Sequence, residues 1–207
     1  MYRRLGFSLA LAALIVIALC SSPTTVAVTA GGVIEGTVKA TGLASNDDAV
    51  VYVTQIAGSF PTPAKPADID QRSMKFTPHV LPIVAGTTVR FLNSDPTPHN
   101  VFSPDHEKYN LGTWPQGQVK DHAFGKCAKA PCVYVQLCRV HPEMEGYVVE
   151  LQNPFYAVSG KDGRYRIDNV PPGSYSLGVW HAKLKAAPKP VTVDGAKPAV
   201  VDFALTR

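Results

Sequence analysis

From Gly31 onward the apolar residues come in short runs instead of at helical spacing. Runs rich in Val, Tyr and Phe are punctuated by Gly, Pro, Asn and Asp, the pattern of strands joined by turns. Gly32 to Val38, Ala49 to Val53 and Thr88 to Leu92 read as strands in the first half. Val133 to Leu137 (Val-Tyr-Val-Gln-Leu) and Tyr147 to Leu151 (Tyr-Val-Val-Glu-Leu) follow. Further on, Ala157 to Ile167 reads as strand, tight Asp162-Gly163 turn, strand. Asn169-Val-Pro-Pro-Gly173 makes another turn before Tyr175 to Trp180, and Val191 to Val193 and Val200 to Leu205 supply the last strands. The predicted class is all-β, in one or two small cores.

The first thirty residues follow a different rule. Arg3 and Arg4 precede an apolar run from Leu5 to Leu19, and Val28-Thr29-Ala30 offers a small-residue cleavage site. Residues 1–30 are therefore expected to be a signal peptide, with the mature chain beginning near Gly31. The run is short for a membrane span, so no stable membrane insertion is expected after cleavage; an uncleaved anchor is the alternative. Cys20 follows bulky Leu19, which argues against lipidation. The expected location is periplasmic or secreted.

Cysteine usage fits an oxidising compartment. Of four cysteines, Cys127, Cys132 and Cys138 lie beyond the signal. Cys127-Ala-Lys-Ala-Pro-Cys132 brackets a hairpin turn, and these two are candidates for a disulfide. Pairing of Cys132 with Cys138 is disfavoured by their spacing along a strand; a second metal or dithiol site at Cys127 and Cys132 is the rival. The formal charge of +4 includes Arg3 and Arg4. No basic cluster interleaves with aromatics, so nucleic acid is not an expected partner.

The chemistry concentrates in Cys138-Arg-Val-His141-Pro-Glu-Met144, with His99 upstream in Thr97-Pro98-His99-Asn100-Val101. Two imidazoles, a thiolate and a weak thioether form the donor set of a blue-copper electron-transfer centre. Structural zinc favours a fourth strong donor over Met. Thiolate stabilises Cu(I), and imidazole tolerates both oxidation states. The strand pattern puts Cys138, His141 and Met144 in a tight loop between two strands, stiffened by Pro142, and His99 after a third strand and the turn Asn93-Ser-Asp-Pro96. Singly, each of these residues has a bland explanation as core filler or turn residue; their order and spacing do not.

The stretch from Met74 to Leu151 resembles a cupredoxin. It carries Phe76-Thr-Pro78, Ala85-Gly86-Thr-Thr-Val-Arg-Phe91, Pro98-His99-Asn100-Val101 and the Cys-x-x-His-Pro-x-Met loop. The loop is most similar to amicyanin and the rest to plastocyanin-like domains. The resemblance implies a Greek-key sandwich and one type 1 copper. His99, Cys138 and His141 would be its strong ligands, Met144 the weak axial one, and Asn100 a residue tying the two ligand loops together. It also implies a surface-reaching His141 ringed by apolar residues, here Pro98, Phe102 and Pro142. Gln136, at a position often aromatic in the family, and Glu143, inside the ligand loop, depart from the pattern without removing a ligand.

Residues Asp162-Gly-Arg-Tyr165-Arg-Ile167 and Val170-Pro-Pro-Gly173-Ser-Tyr175 resemble the carboxypeptidase regulatory-like (transthyretin-like) sandwich. Its opening strands are matched by Gly32 to Val38 and Ala49 to Val53, which precede the cupredoxin-like stretch. The expected organisation is therefore a copper domain at residues 61–151 inserted into a second sandwich made of 31–60 and 152–207. Pro61-Thr-Pro-Ala-Lys-Pro66 would be the outbound linker and Asn153-Pro154 the return. Two consecutive domains are the alternative.

Asp162 and Asp168 read as turn residues, the second sandwich shows no catalytic constellation, and electron transfer requires no substrate pocket or acid/base pair, so no enzymatic activity is expected. His79, His106, His122 and His181 are unremarkable singly; His106 and His122 would make a weak second metal patch only if the fold joined them. The expectation is an electron carrier between a redox protein donor and a redox protein acceptor. The alternatives are a copper-handling protein and a metal-free binding or structural module of the cell envelope.

Overall fold

The computed structural model describes residues 31–125 and 127–207; the signal-peptide expectation lies outside these residues. Among the described residues there are seventeen strands and no helix. They are β1 (Gly32–Ala40), β2 (Val50–Val53), β3 (Ala67–Gln71), β4 (Phe76–Thr77), β5 (Val80–Val84) and β6 (Thr88–Asn93). Then come β7 (His99–Ser103), β8 (Tyr109–Trp114), β9 (Val119–Ala123), β10 (Cys132–Leu137), β11 (Glu145–Leu151) and β12 (Tyr156–Val158). The chain ends with β13 (Arg164–Val170), β14 (Gly173–Trp180), β15 (Lys189–Val193), β16 (Ala199–Val200) and β17 (Phe203–Leu205). No helix among the described residues is long and apolar enough to cross a membrane.

The strands pair into two sandwiches. One joins the sheet β5-β11-β10-β7-β8 to β4-β3-β6-β9 and uses only residues from 67 to 151. The other joins β13-β1-β16, with β17 also on β1, to β12-β2-β14-β15. Thus β1 and β2, early in the chain, pair only with strands that follow Leu151. The Asp162-Gly163 turn is present, and Gly163 has φ of 82°. A Cβ there would meet the Val38 carbonyl oxygen at 2.2 Å, which only glycine avoids.

Each sandwich has its own core. Ile34, Val38, Val51, Leu177 and Phe203 fill the second, while Ile69, Phe91, Trp114, Tyr134 and Val148 fill the first. A third buried cluster of Val50, Tyr52, Val80, Val149 and Leu151 lies between them. It explains why β2 is buried at all four positions. Side chains alternate along a strand; Val51 and Val53 point into their own core, while Val50 and Tyr52 face the other sandwich. The same holds for Val148 against Val149 on β11.

Candidate metal centre

Strand parity aims the thiol inward. Along β10, Cys132, Tyr134 and Gln136 are buried while Val133, Val135 and Leu137 are less so. Cys138 continues that alternation one residue past the strand and is 3% exposed. Leu137 pairs with Phe102 of β7, so the start of β7 lies beside Cys138. His99 is the first residue of β7 and is fully buried. A turn closed by the Met144 N–H donating to the His141 carbonyl (3.0 Å) brings the loop back. Met144 is 1% exposed and shares the buried cluster that contains Cys138.

The donor atoms converge. His99 Nδ1 and His141 Nδ1 are 3.0 Å apart, and Cys138 Sγ lies 4.0 Å from each. A point about 2.2 Å from all three atoms exists in their plane, in line with the roughly 2.0–2.3 Å of metal–imidazole and metal–thiolate bonds. Two ring nitrogens at 3.0 Å need a proton or a cation between them; a soft sulfur equidistant from both favours a metal ion. Among the described residues these three form the one His/Cys/Asp/Glu group with metal-binding spacing. The centre can hold a metal ion.

A carboxylate not foreseen from the sequence sets the tautomer of His99. The His99 Nε2–H donates to Asp95 Oδ2 at 2.9 Å, which leaves the Nδ1 lone pair for a metal. Asp95 also accepts from the backbone N–H groups of Ser73 (2.6 Å) and Met74 (2.8 Å). These two residues are the left-handed centre of the β3–β4 hairpin, with φ of 55° and 53°. Burial pushes the Asp95 carboxyl up, but the donors from Met74, His99 and Ser73 outweigh it and hold it below the ordinary carboxylate range. The tautomer signal was obscure in sequence because Asn93-Ser-Asp-Pro96 reads simply as a turn.

Asn100 bridges the loops that carry His99 and Cys138. Its backbone N–H points at Cys138 Sγ (3.4 Å), and its side-chain oxygen accepts from the Arg139 backbone N–H (3.4 Å). Its amide nitrogen donates to the Gly112 carbonyl (2.7 Å) and to Asn110 (2.9 Å). An N–H on the ligand sulfur is one of the means by which a protein sets a copper potential. Gln136 is fully buried, accepting from the Tyr109 hydroxyl and donating to the Tyr134 carbonyl. Glu143 is exposed, as are Pro98 and Pro142, while His141 and Phe102 are half-buried. Val140 is 46% exposed.

The other candidates resolve separately. Cys127 and Cys132 form a disulfide, and Cys138 is a buried free thiol. His122 stacks on Tyr109 with Glu107 at 3.5 Å, and His106 packs edge-on to Tyr134. Neither joins the metal-spaced group. His79 Nδ1 meets Asp48 at 2.7 Å, bridging from the turn between β4 and β5 to the loop before β2. His181 Nδ1 accepts from the Lys183 backbone N–H (3.0 Å) and lines a small cavity with His79 and Asp48.

Residues 143–206 match the carboxypeptidase regulatory-like domain family. The match takes in β11, which the pairing places in the sandwich of residues 67–151, and omits β1 and β2, which pair with the matched strands. No curated protein matches the chain. Similar solved structures include the Cu-containing nitrite reductase NirK from Thermus scotoductus SA-01, at 25% identity and a TM-score of 0.40, over 48% of this chain and 25% of that one. The chain thus spans a quarter of that reductase. A point mutant of amicyanin in its Cu(I) form is 25% identical with a TM-score of 0.37, covering 41% of this chain and 81% of the other. A purple cupredoxin from Nitrosopumilus maritimus is 28% identical with a TM-score of 0.36, covering 41% and 98%. At these scores the donor atoms and their distances, not the likeness, carry the reading of the site.

Proposed function

We propose that the chain binds one copper ion through His99, Cys138 and His141, with Met144 as a weak fourth donor, and carries single electrons between redox proteins outside the cytoplasm. The observation that carries the reading is the triangle of two Nδ1 atoms and one Sγ with edges of 3.0, 4.0 and 4.0 Å. Bound copper would supply the Cu(I)/Cu(II) couple. The residues supply the rest. Asp95 holds the His99 ring in the metal-ready tautomer, Asn100 fixes the loops against each other, and burial of Cys138 and Met144 keeps water from the sulfurs. A rigid frame that needs little rearrangement favours fast electron exchange. The half-buried His141 at an apolar rim suits brief, weak encounters between carriers. No step requires an acid/base pair, and the proposed role is not enzymatic.

Repeated reduction and oxidation in the presence of a Cu(I) chelator tests the role. A carrier keeps its copper and its spectrum through many cycles. Steady transfer of Cu(I) to the chelator would assign the same ligands to copper delivery instead.

A further inference from the structure

Phe102, Leu137, Arg139 and Pro142 surround a surface hollow of about 340 Å³ that reaches Cys138. Its charged wall is unusual for this chain. Arg72, Arg90, Arg164 and Arg166 each hold an aspartate or glutamate. Among the described residues Arg139 has no carboxylate partner; its guanidinium lies 4.9 Å from the centre of the Phe102 ring. A guanidinium held over an aromatic ring by cation–π attraction keeps N–H donors that a carboxylate can use. Next to it, Val140 is 46% exposed and Pro142 is exposed.

We infer that this hollow is the docking point of a redox partner that presents an acidic side chain beside an apolar one. The inference rests on the electron-carrier reading of the centre. The carboxylate would seat on Arg139 and the apolar group against Phe102, Leu137 and Pro142. That position lies against the ligand cysteine, so the partner approaches from the thiolate side of the centre as well as from His141. Without Arg3 and Arg4 the formal charge falls from +4 to +2, which leaves the long-range field the same sign. A charge at the rim of such a contact acts on encounter rate and salt dependence.

Stopped-flow oxidation of the reduced, copper-loaded protein tests this with two inorganic probes. Hexacyanoferrate(III) is an anion and tris(phenanthroline)cobalt(III) a cation. Each takes one electron from the reduced centre, becoming iron(II) or cobalt(II), and no atom is transferred. Arg139→Glu is expected to slow the anionic probe about tenfold at low salt and to speed the cationic one, with Arg139→Gln intermediate. The differences should vanish near 1 M salt, where the screening length is about 3 Å. Lys197→Glu, an exposed charge reversal in the turn between β15 and β16, should change either rate less than about twofold. If Arg139→Glu moves the two rates no more than Lys197→Glu does, the docking point is wrong. Absence of a thiolate-to-copper band in the wild type would be a different failure, that of the copper reading itself.

Discussion

Replacing Asp95 by Asn changes one oxygen for an NH2 group at the point where three N–H donors meet. Ser73 reaches Oδ1 at 2.6 Å, while Met74 at 2.8 Å and His99 at 2.9 Å share Oδ2. An amide has one acceptor oxygen, so in either rotation its NH2 faces an N–H donor, part-buried at Ser73 or buried at His99. Losing a charge-assisted bond and opposing such a donor costs about 1–3 kcal/mol. Part of that cost can be relieved by moving the His99 proton from Nε2 to Nδ1, where it blocks the metal. Copper affinity should therefore fall about 10- to 100-fold, the usual effect of losing such a partner. Cu(I) competition against a chromophoric chelator measures it, with urea unfolding of the metal-free protein giving the stability change. All four donors remain, so the saturated variant should still be coloured. An affinity within about twofold of wild type would refute the claim that Asp95 sets the tautomer.

Gly146→Ala would place a Cβ 2.8 Å from Phe76 Cβ and 3.3 Å from the His79 carbonyl oxygen, and should destabilise the protein by about 1–3 kcal/mol in denaturant titration. Met144→Leu should keep an intense visible band but shift the reduction potential in voltammetry, because the axial donor tunes it. The His79–Asp48 pair should make stability pH-dependent. The hydrogen bond to Asp48 holds His79 above its ordinary range; burial opposes this, the Asp48 and Glu145 charges add to it, and Lys183 opposes it. A histidine raised by folding stabilises fully below its unfolded pKa and loses that contribution as pH rises through the raised value. His181 in the same cavity is lowered, chiefly by burial, with Asp48 and Asp47 opposing and Lys183 and His79 assisting, so its contribution has the opposite sign. Apart from the part of that lowering due to His79, it is common to wild type and His79→Gln. In metal-free protein that difference should be larger near pH 5.5 than near pH 9. It should stay below about 1 kcal/mol, because the two side chains are 44% and 37% exposed. A flat difference would show that the pair does not couple the two sandwiches.

The loop from Cys138 to Met144 was legible because it lies between two recognisable strands, and strand parity then dictates that Cys138 points inward. Gly32 to Val38 and Ala49 to Val53 were read as strands, but an apolar run does not name its partner, and their pairing with the late strands β13 and β14 comes from the structure. Other parts left no such trace. β8 and β9 were not read as strands: β9 is an edge strand with most positions exposed, and β8, another edge, turns only Tyr109, Leu111 and Trp114 toward the core, between exposed polar and glycine positions. β3, Ala-Asp-Ile-Asp-Gln, carries too few apolar residues for a strand signal and is defined by its parallel register with β6. Asp95 was invisible as a partner of His99 because its role depends on the loop folding back on the β3–β4 hairpin. The His79–Asp48 contact spans thirty-one positions and follows only from how the two sandwiches pack.

The proposed copper centre is tested most directly by the visible absorption of the purified protein with one equivalent of Cu(II), beside its Cys138→Ser variant. An intense thiolate-to-copper band in the wild type, with narrow copper hyperfine splitting, and no such band in the variant is the expected result. A colourless wild-type complex, or a band that survives loss of the Cys138 thiol, would contradict it.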